Sequence, residues 1–162
     1  MTVKSDKDIL DPACGPKMFY FDKDDPRVEF CDLHPRVETL CDGRVLDVSP
    51  DNVADFRDMP WEDESFDLVV FDPPHLTVGN GWQVSKYGKL SARTWKNDLA
   101  LGFSECFRVL RPGGTLVFKW YEYTIPLKQV LSCTPHKPIL GNRKPRRSKT
   151  HWLLFHKDRD SR

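Results

Sequence analysis

Asp67 to Phe71 reads DLVVF, a continuous apolar run bounded by polar turns and followed at once by Asp72-Pro73-Pro74-His75. A strand apolar at consecutive positions is buried on both faces, as in parallel sheets covered by other elements. The prolines end it sharply, because each fixes φ and removes an amide donor. Upstream, Ile9-Leu10-Asp11 is a short apolar run that breaks into Pro12-Ala13-Cys14-Gly15-Pro16, a strand running into a turn. Val28 to Leu33 is predicted as a second strand and Val53 to Phe56 as a third. Between these, Val37 to Val48 carries Asp42-Gly43 flanked by alternating stretches, a hairpin signal. The clearest helix lies between Ser91 and Leu110, where Trp95, Leu99, Phe103, Cys106, Phe107 and Leu110 recur at three- and four-residue spacing. Arg111-Pro112-Gly113-Gly114 ends it and leads into a strand at Thr115 to Trp120. A short helix starts at Pro126, followed by strands near Pro138-Ile139-Leu140 and at His151 to Phe155. The alternation predicts an open α/β sheet in one domain spanning residues 1–162. Ligands of such sheets bind beyond the carboxyl ends of the strands, at the topological switch point.

The chemistry-bearing residues fall at those ends. Asp72 and the Pro73 carbonyl are acceptors with no competing donors nearby, which matches a planar exocyclic amine with two hydrogens; a rigid structural loop is the plainer reading. Asp32 closes the second strand, where a carboxylate can accept from both hydroxyls of a ribose, and Asp55 closes the third. Either alone fits a cap or a turn. Asp11-Pro12-Ala13-Cys14-Gly15 fits a structural turn as well as a site. It lacks the repeated glycines of a pyrophosphate loop, which argues against a nicotinamide or flavin dinucleotide. His34, His136, His151 and His156 show no metal-ligand spacing, so no metal is expected. Trp152 and Phe155 read as core.

These motifs together resemble the class I S-adenosylmethionine-dependent methyltransferases, specifically the branch that methylates amino groups of nucleic acids. The resemblance rests on DPACG at 11–15, the acid at Asp32, DFRDMPWEDESFDLVV at 55–70, DPPH at 72–75 and FRVLRPGGTLVF at 107–118. The chain is also similar to small phage- and prophage-type methyltransferases with a KTHW-like strand, here Lys149 to Trp152. The resemblance implies a Rossmann-like three-layer α/β sandwich, mostly parallel, with an antiparallel last strand. It implies S-adenosylmethionine as cofactor, with Asp11, Ala13, Cys14 and Gly15 bordering its methionine part and Asp32 holding the ribose. Asp55 would bond the adenine amine, and Phe56 would pack on the ring. Asp72, Pro73, Pro74 and His75 would form the catalytic motif, with Asp72 and Pro73 taking the target amine and His75 lying against the acceptor ring. The sequence departs from the family at two points. A single Gly15 is followed by Pro16 and Lys17 where a second glycine is usual, and the next helix must be short because only about a dozen residues separate Gly15 from the second strand. His75 replaces Tyr, Phe or Trp. It is expected to stack or orient; taking the released proton is a lesser option.

Charge adds a hint about the acceptor. From Asp42 to Asp72 there are ten acidic residues against two arginines, whereas Tyr123 to Lys157 holds no acid. The basic stretch Gly141 to Lys149, with Arg143, Arg146, Arg147 and Lys149, reads as a hairpin tip suited to phosphates or simply as a solvated loop. Leu76 to Asn97 is a long Gly-bearing connection with Trp82, Lys86 and Tyr87, suited to a lid or to a single-stranded or flipped nucleotide. Adenine is favoured over cytosine as the target base. A small-molecule acceptor and a non-catalytic cofactor- or nucleic-acid-binding subunit remain open. The length leaves no room for a separate target-recognition domain, so a partner subunit, a homodimer, or an RNA or single-stranded substrate is expected. Five scattered cysteines without a Cys-x-x-Cys pair fit reduced thiols in the cytoplasm. No apolar run nears the roughly 20 residues that span a bilayer, and Met1 to Asp8 lacks the apolar stretch of a secretory signal.

Overall fold

A computed structural model describes residues 1–143 and 147–159, leaving aside the side chains of Trp82 and Tyr87. In its main sheet β1 (Ile9–Asp11) pairs in parallel with β2 (Val28–Asp32) on one side and β6 (Phe66–Phe71) on the other. β5 (Asn52–Val53) extends the sheet beyond β2, and β7 (Leu110–Tyr121) extends it beyond β6, both in parallel. β9 (Thr150–His156) then runs antiparallel to β7, and β8 (Leu140–Gly141) closes the far edge antiparallel to β9. The sheet order is β5-β2-β1-β6-β7-β9-β8, a Rossmann-like arrangement whose order reverses at β1. The crevice between the carboxyl ends of β1 and β6 is therefore the expected ligand site.

The predicted long helix is α2 (Trp95–Val109), which crosses over from β6 to β7. Its Leu99, Phe103, Cys106 and Phe107 are buried against Phe71, Phe118 and Phe155, as their spacing requires. Phe155 is core, as expected. Gly102 faces the sheet at the closest approach. A Cβ there would lie 2.8 Å from Phe56 Cδ2 and 2.8 Å from Phe71 Cζ. Gly102→Ala is therefore expected to destabilise the fold by about 1–3 kcal/mol through overpacking, beyond what better helix propensity returns. Urea unfolding reads this as a lower midpoint with an unchanged slope.

The other crossovers differ from expectation. Between β1 and β2 the chain makes successive turns and no helix, so the expected short helix is replaced by an irregular segment. Pro12, Pro16, Gly15 and Pro26 explain this, because they break any helical run of that length. The predicted hairpin is real: β3 (Arg36–Thr39) pairs antiparallel with β4 (Val45–Val48) as a separate two-stranded sheet. The predicted third strand is shorter and earlier, at Asn52–Val53, because Ala54 to Arg57 turn out to form the site loop. Within the predicted 76–97 loop stands a short helix, α1 (Trp82–Tyr87), and α3 (Leu127–Leu131) follows Pro126 as expected. No helix of the described residues is long and apolar enough to cross a membrane.

Candidate active site

A cavity of about 1220 Å³ opens at the carboxyl ends of the parallel strands. It is lined by Ala13, Cys14 and Gly15 after β1, Asp32 at the end of β2, Asp55 and Phe56 after β5, and Asp72, Pro73, Pro74 and His75 after β6. Residues far apart in sequence meet here because parallel strands all deliver their ends to the same edge. Lys86 of α1 joins them. Asp11 does not line the cavity. It is fully buried beneath the turn, accepting from the Tyr20 hydroxyl at 2.9 Å and the Ala13 amide at 3.2 Å.

Burial pushes the Asp11 carboxyl from the usual 3.8 up to about 7, against these two hydrogen bonds. Because the folded value exceeds the unfolded one, Asp11 contributes stability that is complete below about pH 4 and lost as pH rises through about 7. Asp11→Asn should therefore gain stability relative to wild type as pH rises across that window. A stability difference that stays flat in thermal unfolding from pH 4 to 7 would contradict a protonated buried carboxyl.

Asp32 accepts from the Gly15 amide at 3.1 Å and the His34 amide at 2.8 Å, so its carboxylate joins the β1 turn to the end of β2. A carboxylate has about four acceptor sites, which leaves Asp32 capacity for further donors from the cavity. Asp55 is more constrained. Arg57 donates from its amide and Nε to Oδ1 at 2.9 Å each, and from Nη2 to Oδ2 at 2.6 Å. Arg57 also reaches buried Asp98 of α2 at 3.1 Å, and the Arg57 hydrogen bonds hold the Asp55 carboxyl below its ordinary range. Phe56 packs on Phe71, with ring centroids 5.4 Å apart.

Asp72 has a partner that the sequence reading missed. Lys119 Nζ donates to Asp72 Oδ2 at 2.7 Å, and both side chains keep about a fifth of their surface exposed. Burial pushes the Asp72 carboxyl up, and the Lys119 ammonium pulls against that shift. Lys119 also lies over the rings of Phe19 and Trp152, 5.5 and 5.8 Å from their centroids. It comes from β7, where Phe118 and Trp120 point into the core while Lys119 and Tyr121 point to the cavity. Its cross-strand neighbour is Trp152 of β9, half-buried on the cavity wall and not in the core as expected. The signal available in the sequence was a lone lysine inside TLVFKW.

His75 is 6 % exposed and sits edge-on to Tyr121 at 5.3 Å and Trp120 at 6.3 Å. Burial, with Lys119 adding repulsion, lowers it to about 4, so at neutral pH it is an uncharged ring and a weak base. Gly88, which ends α1 with φ +71°, packs on Pro74; a Cβ there would lie 3.0 Å from Pro74 Cγ. The connection after the motif thus folds back over it, helped by Arg36 Nε donating to the Ser85 carbonyl at 2.9 Å.

Arg143, Arg147 and Lys149 are exposed between β8 and β9 and do not line the cavity; Arg146 lies outside the described residues. Lys149 is nonetheless 5.2 Å from the ring centroid of Tyr123, which does line it.

No protein-family model and no curated protein sequence matches the chain. Solved structures do share its fold. A protein from Pyrococcus horikoshii OT3 has a TM-score of 0.60 at 15 % identity, over 93 % of this chain and 82 % of its own. A SAM-dependent methyltransferase from Methanosarcina mazei has a TM-score of 0.59 at 13 % identity, over 98 % of this chain and 95 % of its own. A geranyl diphosphate C-methyltransferase from Streptomyces coelicolor A3(2), solved with Mg2+, geranyl diphosphate and S-adenosyl-L-homocysteine, has a TM-score of 0.54 at 13 % identity, over 98 % and 74 %.

Proposed function

We propose that this protein is an S-adenosylmethionine-dependent methyltransferase acting on an exocyclic amine of a nucleic-acid base, with adenine favoured. The observation that carries this reading is one cavity holding both an acid-and-aromatic wall for a nucleoside and the Asp72–Pro73 acceptor pair. The cofactor suits that wall. Asp32 would accept from the ribose hydroxyls with its spare capacity, Phe56 would cover one face of the adenine, and the Ala13–Gly15 turn would border the methionine end. Asp55 would accept the adenine amine with the acceptor capacity left beside Arg57, which donates to both of its oxygens. Asp11 would serve from below by fixing the turn. S-adenosylmethionine supplies a methyl group on a sulfonium, already electrophilic. What the protein must add is orientation. Asp72, steadied by Lys119, and the Pro73 carbonyl would each accept a hydrogen bond from one N–H of the amine and so direct the nitrogen lone pair. His75, uncharged, would support the acceptor ring. A base within a duplex would first have to leave the stack.

Nucleic acid is favoured by the cavity face built from Lys119, Tyr121, Tyr123 and Trp152, where one cation sits among three rings. Five free cysteines, three of them buried, suit a reducing compartment, and the cytoplasm is part of the proposal. A partner subunit or homodimer would supply target selection. A small-molecule acceptor is the second reading, favoured by the neighbour that holds geranyl diphosphate.

Purified protein with methyl-labelled cofactor tests this. Label in single-stranded DNA or RNA, falling steeply with salt between about 50 and 200 mM, is the expected result. Transfer only to small neutral acceptors, insensitive to salt, would favour the second reading. Absence of label from every nucleic acid would overturn the first.

A further inference from the structure

We infer that Tyr121, Tyr123 and Lys149 form a subsite for the nucleotide next to the acceptor in a single strand. This deepens the base-methylation reading and rests on it. Tyr121, the last residue of β7, and Tyr123, two residues beyond it, lie on the cavity face beside His75. Tyr121 is 36 % and Tyr123 59 % exposed, yet both line the cavity. Their rings are nearly parallel, 21° apart with centroids 6.2 Å from each other, and Tyr121 meets the His75 ring at 5.3 Å. A row of rings therefore leads from the acceptor position outward.

The segment that carries the row is tied by hydrogen bonds. The Tyr123 amide donates to the Tyr121 carbonyl at 3.0 Å, and the Glu122 amide donates to the Lys149 carbonyl at 2.8 Å. The Glu122 carboxylate faces the other way, accepting from the Leu127 amide at 3.0 Å and pairing with His151 at 2.8 Å. The backbone that spaces the two exposed tyrosines is thus tied on both sides. Lys149 Nζ stands 5.2 Å from the Tyr123 centroid, where an ammonium can meet a phosphate while a base covers the ring. Bases within a duplex are stacked on each other and cannot reach such rings, so the ligand is a single-stranded oligonucleotide.

The test is fluorescence anisotropy with labelled single-stranded DNA and RNA oligonucleotides and a blunt duplex, paired with methyl transfer to the same strands. Tyr123→Ala is expected to weaken single-strand binding about tenfold or more, and Tyr123→Phe to restore it. Lys149→Ala should weaken binding and reduce the salt slope by about one. The stronger of the DNA and RNA responses identifies the source of the strand. Unchanged binding in Tyr123→Ala, or a duplex bound as tightly as a single strand, would overturn the subsite. Wild-type transfer to oligonucleotides that Tyr123→Ala leaves intact would overturn the subsite while base methylation stands. Tyr123-dependent binding with no transfer to any strand would uphold the subsite as a binding site and overturn base methylation.

Discussion

Asp72→Ala is expected to lower kcat for methyl transfer by about 100-fold or more while leaving cofactor affinity near that of the wild type. Misplacing a reacting group by about 1 Å is worth roughly that factor. Asp72 would be the side-chain member of the proposed acceptor pair, and it directly follows β6, where Pro73 and Pro74 stiffen the backbone. Truncation would remove one of the two points proposed to aim the amine, and it leaves Lys119 without its 2.7 Å partner. Asp72→Asn separates shape from charge, since it keeps an acceptor oxygen but loses the ion pair. Its loss of rate should be smaller. Single-turnover measurements at saturating cofactor, with thermal unfolding to confirm the fold, decide the matter. An Asp72→Ala protein that turns over like wild type would remove the DPPH motif from the reaction.

Lys119→Met is expected to move the acid limb of the pH–rate profile upward. Burial already pushes the Asp72 carboxyl up, and the Lys119 ammonium is what opposes that push. Without the cation, the carboxylate takes up a proton at higher pH, so activity near neutrality falls more than activity at alkaline pH. Each pKa unit of displacement costs about tenfold in the ionised fraction below it. Lys119→Arg keeps the charge and should hold the limb near its original place, with some loss of rate from altered geometry. A Lys119→Met profile that drops evenly at every pH would mean that the lysine acts only by packing between Phe19 and Trp152.

What the sequence made legible follows from how local each signal is. The buried strand before Asp72, the helical face at Leu99, Phe103 and Phe107, and the Asp42-Gly43 hairpin each depend on a few neighbouring residues, and each is present in the structure. The acids at strand ends were legible for the same reason. What escaped depended on register between strands. Lys119 reads as an ordinary polar position in β7 until β6 and β9 are placed beside it. Only then does its side chain fall between Asp72 and Trp152. Trp152 reads as core because aromatic strands usually are, but the turns between β1 and β2 leave its face on the cavity with Phe19 edge-on at 5.3 Å. The Arg57 clamp on Asp55 was equally invisible, since its second anchor, Asp98, lies on a distant helix. Asp11 stood in a motif that suggested contact with ligand, and its full burial shows that it supports the turn from beneath.

The most direct test of the central claim is calorimetric titration of the purified protein with S-adenosylmethionine, using Asp32→Ala for comparison and thermal unfolding to confirm that both are folded. Saturable, stoichiometric binding by wild type that is lost in Asp32→Ala is the expected result. It would assign the wall formed by Asp32, Gly15 and Phe56 to the cofactor. A folded wild-type protein that shows no saturable heat with S-adenosylmethionine would contradict the methyltransferase assignment itself.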